Sequence, residues 1–212
     1  MTDHPDIRDA ATLILVRNPA TAPKVLLGRR QRGAVFMPDH FVFPGGAVDP
    51  GDGDVALAGG LDPLCRARLA GDTPPHAFAA AAIRELWEET GLTYAVPGGF
   101  APPPGWDGFA ARRVQPTATG LAFVFRAITP PGRPRRFDAR FFLADAAGLA
   151  GDRDDFSGAS GELSDLAWVA MDELSALKIA PVTQAALRDV AARLPDLGPP
   201  GEVPLWGADR DE

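Results

Sequence analysis

The sequence predicts one domain built as a mixed α/β or α+β sandwich, and three observations predict it. Short apolar runs rich in Leu, Ile, Val and Phe recur in both halves of the chain. A long amphipathic helical segment separates the two groups. Strands and helices do not alternate strictly, as an all-parallel sheet would require. The 212 residues suffice for one sizeable core. A content of 46% apolar and 23% charged residues is that of a globular chain rather than a disordered one.

The elements follow in order. "RDAATLILVRN" (Arg8 to Asn18) reads as a buried strand ending at an Asn-Pro turn signal. "APKVLLGRRQ" reads as its hairpin partner, with Asn18 to Ala22 as the connection. "HFVFPGGAVD" is a third strand, cut off by Pro44 and the pair Gly45 and Gly46. Pro50 to Thr73 is rich in Gly, Asp and Ala, with a short helix near Pro63 to Leu69. Thr73 or Asp72 is a candidate cap for a helix from about His76 to Thr90, stopped by Gly91 in the left-handed conformation. A Pro/Gly-rich loop, Pro97 to Gly108, precedes a strand "GLAFVFRAIT", a basic turn "PPGRPRR" and a strand "FDARFFLA". A loop "DDFSGASGE", a strand "LAWVAM" and short helices from about Asp172 and Pro181 complete the domain. Residues 195–212 read as an irregular tail.

The net charge of -7 argues against a nucleic-acid or anionic-membrane partner, which needs clustered positive charge. A nucleotide-sized ligand held by metal and a few arginines remains compatible with it. The single cysteine, Cys65, can form no intrachain disulfide. The apolar runs "ATLILV" and "AFAAAAI" are too short to span a bilayer, and neither end shows a signal or lipidation motif. The expected setting is the cytoplasm. His4, His40 and His76 lack ligand spacing and read as surface or capping residues.

The segment "AIRELWEETGL" carries the chemistry. Glu85, Glu88 and Glu89 fall within an arc of about 100° on a helix, opposite Ile83, Leu86, Trp87 and Thr90. The bland alternative is a solvated acidic face, partly offset by Arg84. Against it, like charges at these spacings repel, and the last turn of a helix disfavours negative charge. A hard divalent cation reverses the sign of both effects, because it takes carboxylate oxygens as ligands.

With "GGAVDPGD" upstream, "RELWEETGL" resembles the Nudix box: G, five residues, E, seven residues, then R-E-U-x-E-E-x-G-U with U aliphatic. Gly46 matches the leading glycine, and Arg84, Glu85, Leu86, Glu88, Glu89, Gly91 and Leu92 fill the second half. Two departures stand out. Asp52 replaces the first Glu, and 31 residues separate it from Arg84 where the pattern has seven, an insertion of 24. Such a split box, with "FMPDHFVFPGGAVD" before it and "RRFDARFFLA" after, is similar to the coenzyme A diphosphatase branch of the family.

The resemblance implies an α/β/α sandwich with a mixed sheet over about residues 8–194, an insertion at about 53–76 near the substrate entrance, and hydrolysis of a diphosphate linked to a moiety X. It implies Mg²⁺ or Mn²⁺, which neutralises phosphate charge and acidifies water. Glu85 and Glu89 would be the main metal ligands, with Glu88 beside them and the Gly46 carbonyl as a further ligand. Arg84 would brace a carboxylate, Asp52 being the candidate. The general base stays open among Glu88, Glu89 and Glu162, the last following a flexible loop. Arg140 is the candidate phosphate contact, since arginine forks suit phosphates, and Arg30 is a candidate substrate-binding residue because it falls where coenzyme A members of the family often carry an arginine. The first expected substrate is coenzyme A or acyl-coenzyme A, although the spaced Arg and Gly of that signature before "FPGG" are not met. NADH, ADP-ribose and nucleoside triphosphates are alternatives, as is a non-catalytic binding module. A homodimer is compatible with the predicted edge strands.

Overall fold

In the computed structural model, which describes residues 6–33 and 37–207, the run "ATLILV" is the spine of the molecule. It lies in β1 (Ile7–Arg17), whose residues alternate between two cores. Leu13 and Leu15 join one apolar cluster, while Ile14 and Val16 join another. β1 runs parallel to β8 (Arg136–Asp145) along ten residue pairs, from Ile7↔Arg136 to Val16↔Asp145. β2 (Lys24–Arg30), β7 (Ala122–Ile128), β10 (Leu163–Ala170) and β11 (Leu205–Gly207) complete the order β10-β2-β1-β8-β7-β11.

Three layers result. On one face, α2 (Pro75–Thr90) buries the alanines 79–82 with Ile83 and Leu86 against the sheet. On the other, α4 (Pro181–Arg193) buries Ala186, Leu187 and Val190. A small sheet of β5 (Thr93–Pro97), β6 (Val114–Pro116) and β9 (Leu149–Ala150), in the order β6-β5-β9, stands beside α2 with the short α3 (Asp107–Ala111).

The hairpin of β1 and β2 pairs only at Val16↔Val25 and Arg17↔Lys24. Beyond those pairs the strands part. β4 (Gly45–Ala47) takes the place against β1, and β3 (Phe41–Val42) pairs with β2. The sequence suggested one strand ending before the glycine pair. Instead Pro44 divides two strands with different partners, and Gly45 and Gly46 are themselves in the ladder. Close approach explains the glycines: a Cβ on Gly45 would lie 2.6 Å from the Ala11 carbonyl oxygen.

Four further sequence expectations are corrected. The helix cap is neither Thr73 nor Asp72: Pro74 occupies that position without a side-chain bond, and the Thr73 hydroxyl donates to Asp9 at 2.5 Å. Thr73 lies one residue outside the cap position, because the helix starts at Pro75, a residue suited to the first turn where no N–H is needed. The loop expected from Pro97 to Gly108 is bounded by structure, since β5 ends at Pro97 and α3 begins inside it at Asp107. The insertion packs into the core rather than standing at a substrate entrance. Asp62 caps α1 (Pro63–Arg68), and Leu61, Cys65 and Leu69, four residues apart, turn one face into the core with Val55. Cys65 Sγ accepts the Phe123 N–H at 3.2 Å. Finally, the tail is not irregular throughout, because β11 adds a parallel edge strand to β7. Phe36, His4 and the last five residues lie outside the described residues. No helix among the described residues is long and apolar enough to cross a membrane.

Candidate active site

α2 ends where the site begins. Gly91, at φ 76°, receives the last turn, and its N–H bonds the Trp87 carbonyl. The apolar stripe of α2 packs on the sheet, and the flank beside it carries Glu85 and Glu89 onto β4, which fills the gap where β2 has parted from β1. Glu89 is 3% exposed and accepts the Gly45 N–H at 2.9 Å. The Glu85 carboxylate lies over Gly46, occupying the space of a side chain: an added Cβ would come 2.4 Å from Oε1. Glu88 is half-exposed.

Arg84 is almost wholly buried and organises this acidic ground. Its Nε and Nη2 reach the two oxygens of Asp52 at 2.9 and 3.0 Å, a bidentate fork. Nη2 also donates to the Ala47 carbonyl at 2.9 Å, and Nη1 to Glu85 and Glu88 at 2.9 and 3.1 Å. Asp52, itself buried, accepts the Asp49 N–H at 2.8 Å. The insertion begins directly after this anchor and returns to α2, so the two halves of the motif meet although 31 residues intervene.

Burial, which disfavours charge, raises the Glu85 carboxyl to about 7, opposed by Arg84 and assisted by Glu88 and Glu162. Burial likewise raises Glu89 to about 8, opposed by the Gly45 N–H and Arg30 and assisted by Glu85 and Glu162. Glu88 is raised by burial too, with Arg84 opposing. Among the described residues no three carboxylates, imidazoles or thiols already converge as a ligand cage. The reason is visible: Arg84 holds Glu85 and Glu88 on its own nitrogens.

Beside the carboxylates opens a cleft of about 580 Å³ on the α4 side of the sheet. Gly45, Gly46, Arg30 and Glu162 line its end beside the carboxylates, Val182 of α4 lines it too, and Ile128 and Trp206, on β7 and β11, line the end farthest across the sheet from β4. Arg133 and Arg135, from the basic turn, also line it. The loop before Glu162 is pinned to the helix, since the Ser160 N–H donates to the Glu88 carbonyl at 2.9 Å. Arg30 Nε is buried without a hydrogen-bond partner.

Two positional expectations fail. Arg140 is turned to the α2 side of β8, whereas Phe137, Ala139 and Phe141 face the cleft. It pairs with Asp9 and Asp138 at 3.0 and 2.8 Å and lies 4.5 Å over the Phe78 ring. Nor does any insertion residue line the cleft. Two participants were missed. Gly45 stood beside Gly46 in "FPGG" and could have been suspected of close approach. Trp206 had no local signal, because only the strand pairing of β11 brings it to the cleft.

A three-layer sandwich whose glutamate helix docks a glycine pair through an Arg84–Asp52 fork defines a Nudix-type protein. The chain belongs to the Nudix hydrolase superfamily. It is 32% identical over 175 residues to "Putative nudix hydrolase 7" of Caenorhabditis elegans, a match covering 76% of this chain and 51% of that one. The chain thus spans about half the length of the curated relative it matches. The crystal structure of a Nudix hydrolase from Alicyclobacillus acidocaldarius aligns with a TM-score of 0.67 at 28% identity, over 89% of this chain and 93% of that one. The Nudix domain of Shewanella oneidensis NrtR, complexed with ADP ribose, shares the fold at a TM-score of 0.51 and 13% identity, over 88% of each chain. No protein-family model matches the chain.

Proposed function

We propose that the protein is a metal-dependent diphosphatase that cleaves a diphosphate linked to a nucleoside-type moiety X, with coenzyme A or acyl-coenzyme A as the first substrate to test. One observation carries this reading: two carboxylates, Glu85 and Glu89, are held against Gly45 and Gly46, and these glycines line a cleft together with Glu162 and Arg30. Carboxylates whose burial and mutual repulsion raise their proton affinity suit a hard divalent cation, Mg²⁺ or Mn²⁺. Nudix hydrolases in general use such ions.

Glu85 and Glu89 would hold the cation, joined by Glu88 once it swings off Arg84, with the Gly46 carbonyl as a further oxygen. Bound there, the cation supplies charge neutralisation of the diphosphate and acidification of water. Arg84 is a positioning residue: it ties α2 to the Ala47 carbonyl of β4 and, through its fork, to Asp52 in the turn that follows. Arg30 is the phosphate contact, presenting a buried, unpaired N–H at the same end of the cleft. Glu162 takes the proton of the attacking water, since its loop brings it to the cleft without tying it to Arg84. The far end of the cleft, where Ile128 and Trp206 stand with Arg133 and Arg135, offers an extended X both apolar surface and positive charge.

The test is turnover, with Mg²⁺ or Mn²⁺, of coenzyme A, acetyl-coenzyme A, NADH, ADP-ribose and nucleoside triphosphates. ADP-ribose has a place because the NrtR domain binds it. Cleavage of a diphosphate in one of the first four supports the reading, and failure on the whole panel by folded protein defeats it. A ranking led by a nucleoside triphosphate would replace the substrate class. Glu162→Gln is expected to lower kcat with the metal requirement intact.

A further inference from the structure

The insertion reaches the cleft indirectly, through the C-terminal segment. Arg68, at the end of α1, donates from Nη1 to the Pro200 carbonyl at 2.7 Å and from Nη2 to the Gly201 carbonyl. A second arginine, Arg193 of α4, donates to the Gly198 carbonyl. From these clasps the chain passes round the β7 edge of the sheet. Val203 packs on the α2-side core and Trp206 on the α4-side core. The Arg126 N–H donates to the Pro204 carbonyl at 2.9 Å, and β11 then pairs Trp206 with Ala127. At its end Gly207 meets β7 so closely that a Cβ would fall 2.1 Å from the Ile128 carbonyl oxygen, which fixes the register. Trp206 is thereby set into the wall of the cleft far from the carboxylates.

We propose that Trp206 is a specificity-determining wall for the X moiety and that Arg68, within the insertion, is the residue that positions it. The insertion thus sets the far end of the cleft without lining it, using the C-terminal segment as a strap. Three features support the assignment. Both Arg68 bonds go to backbone carbonyls, which lock the path of the strap whatever its side chains. An arginine gives two such bonds in a fixed fork where lysine gives a point charge. And a three-residue edge strand is too short to hold its register unaided, so its anchorage must come from outside the sheet. This inference rests on the proposed function for its substrate, but not for its mechanics.

The experiment compares the wild type with Arg68→Ala, Arg68→Lys, Trp206→Ala and the double variant Arg68→Ala/Trp206→Ala. Two measurements are made: KM for the panel compound turned over fastest, and amide hydrogen exchange at Arg126. Trp206→Ala is expected to raise KM about tenfold, within the range that truncating a packed aromatic contact produces. Arg68→Ala should raise KM about threefold to fivefold with kcat nearly unchanged, speed exchange at Arg126, and add little to Trp206→Ala in the double variant. Arg68→Lys should restore only part of either effect. The proposal is overturned by unchanged exchange at Arg126 in Arg68→Ala, by faster exchange with unaltered KM, or by fully additive effects in the double variant. A purely structural role would lower the melting temperature and leave KM alone. If the wild type turns over nothing on the panel, the functional reading fails, and the exchange at Arg126 alone decides whether Arg68 holds the strap.

Discussion

The two faces of the central sheet hold their charge in opposite ways. On the α2 face, Arg140 and Arg126 close on the fully buried Asp138, with Asp9 joining, and Arg84 closes on Asp52. Cation and anion are matched within about 3 Å. At the mouth of the cleft, two buried glutamates carry raised proton affinities, and Arg30 keeps an N–H without a partner. Glu85 shares Arg84 with Asp52 and Glu88, and Glu89 meets a backbone N–H rather than a cation. Fully matched buried charge holds a structure together, whereas under-matched buried charge is where a ligand finds a place.

Replacements on the two sides should break in different ways. The largest effect is expected for Glu89→Gln, which keeps an acceptor for the Gly45 N–H but removes the anion. Turnover should fall by about a thousandfold, about 4 kcal/mol of barrier, with the fold intact by circular dichroism. Gly46→Ala should follow at about a hundredfold, because its methyl group displaces the Glu85 carboxylate by about an ångström. Activity near wild type in either variant would show that the cleft does not use these carboxylates. Arg30→Ala should raise KM about tenfold and hardly move the melting temperature. Arg140→Ala should do the reverse, costing about 3 kcal/mol by leaving Asp9 and Asp138 short of a cation while KM stays put. Equal KM effects from the two arginines would erase the contrast between the faces.

The smallest effect concerns pH. Glu85 and Glu89 bind protons more tightly folded than unfolded, so the folded state holds the extra protons between the ordinary carboxylate range and about 7 to 8. Stability of the metal-free protein is then full at about pH 4 to 5 as far as these groups are concerned. It declines as pH rises toward 8 and levels off above. Thermal melts in chelator should show this slope, Glu89→Gln should flatten it, and added Mg²⁺ or Mn²⁺ should oppose it. A melting temperature rising from pH 5 to 8 in Glu89→Gln and wild type alike would reverse the sign of the argument.

Much of this was legible from residues alone, because its determinants are local. The period of α2, its stop at Gly91 and the strands "ATLILV" and "FDARFFLA" depend on near neighbours. The pairing of Arg84 with the Asp52 region followed from the motif, despite the insertion. What escaped was set by distant partners. Arg140 looked like a phosphate ligand until strand parity turned it toward Asp9. The short helix of the insertion was legible near Pro63, but not that Leu61, Cys65 and Leu69 turn into the core, with Cys65 meeting Phe123. Trp206 lies 115 residues beyond Gly91, and nothing in its own neighbourhood records that β7 is its partner.

The position of Trp206 also bears on how the cleft can be watched. Its indole lies in the wall of the cleft against the α4-side core. The other three tryptophans, Trp87, Trp106 and Trp168, lie with the α2-side core. The difference in fluorescence between wild type and Trp206→Ala therefore isolates one reporter, and a ligand filling the space where X would lie would change its emission without any turnover.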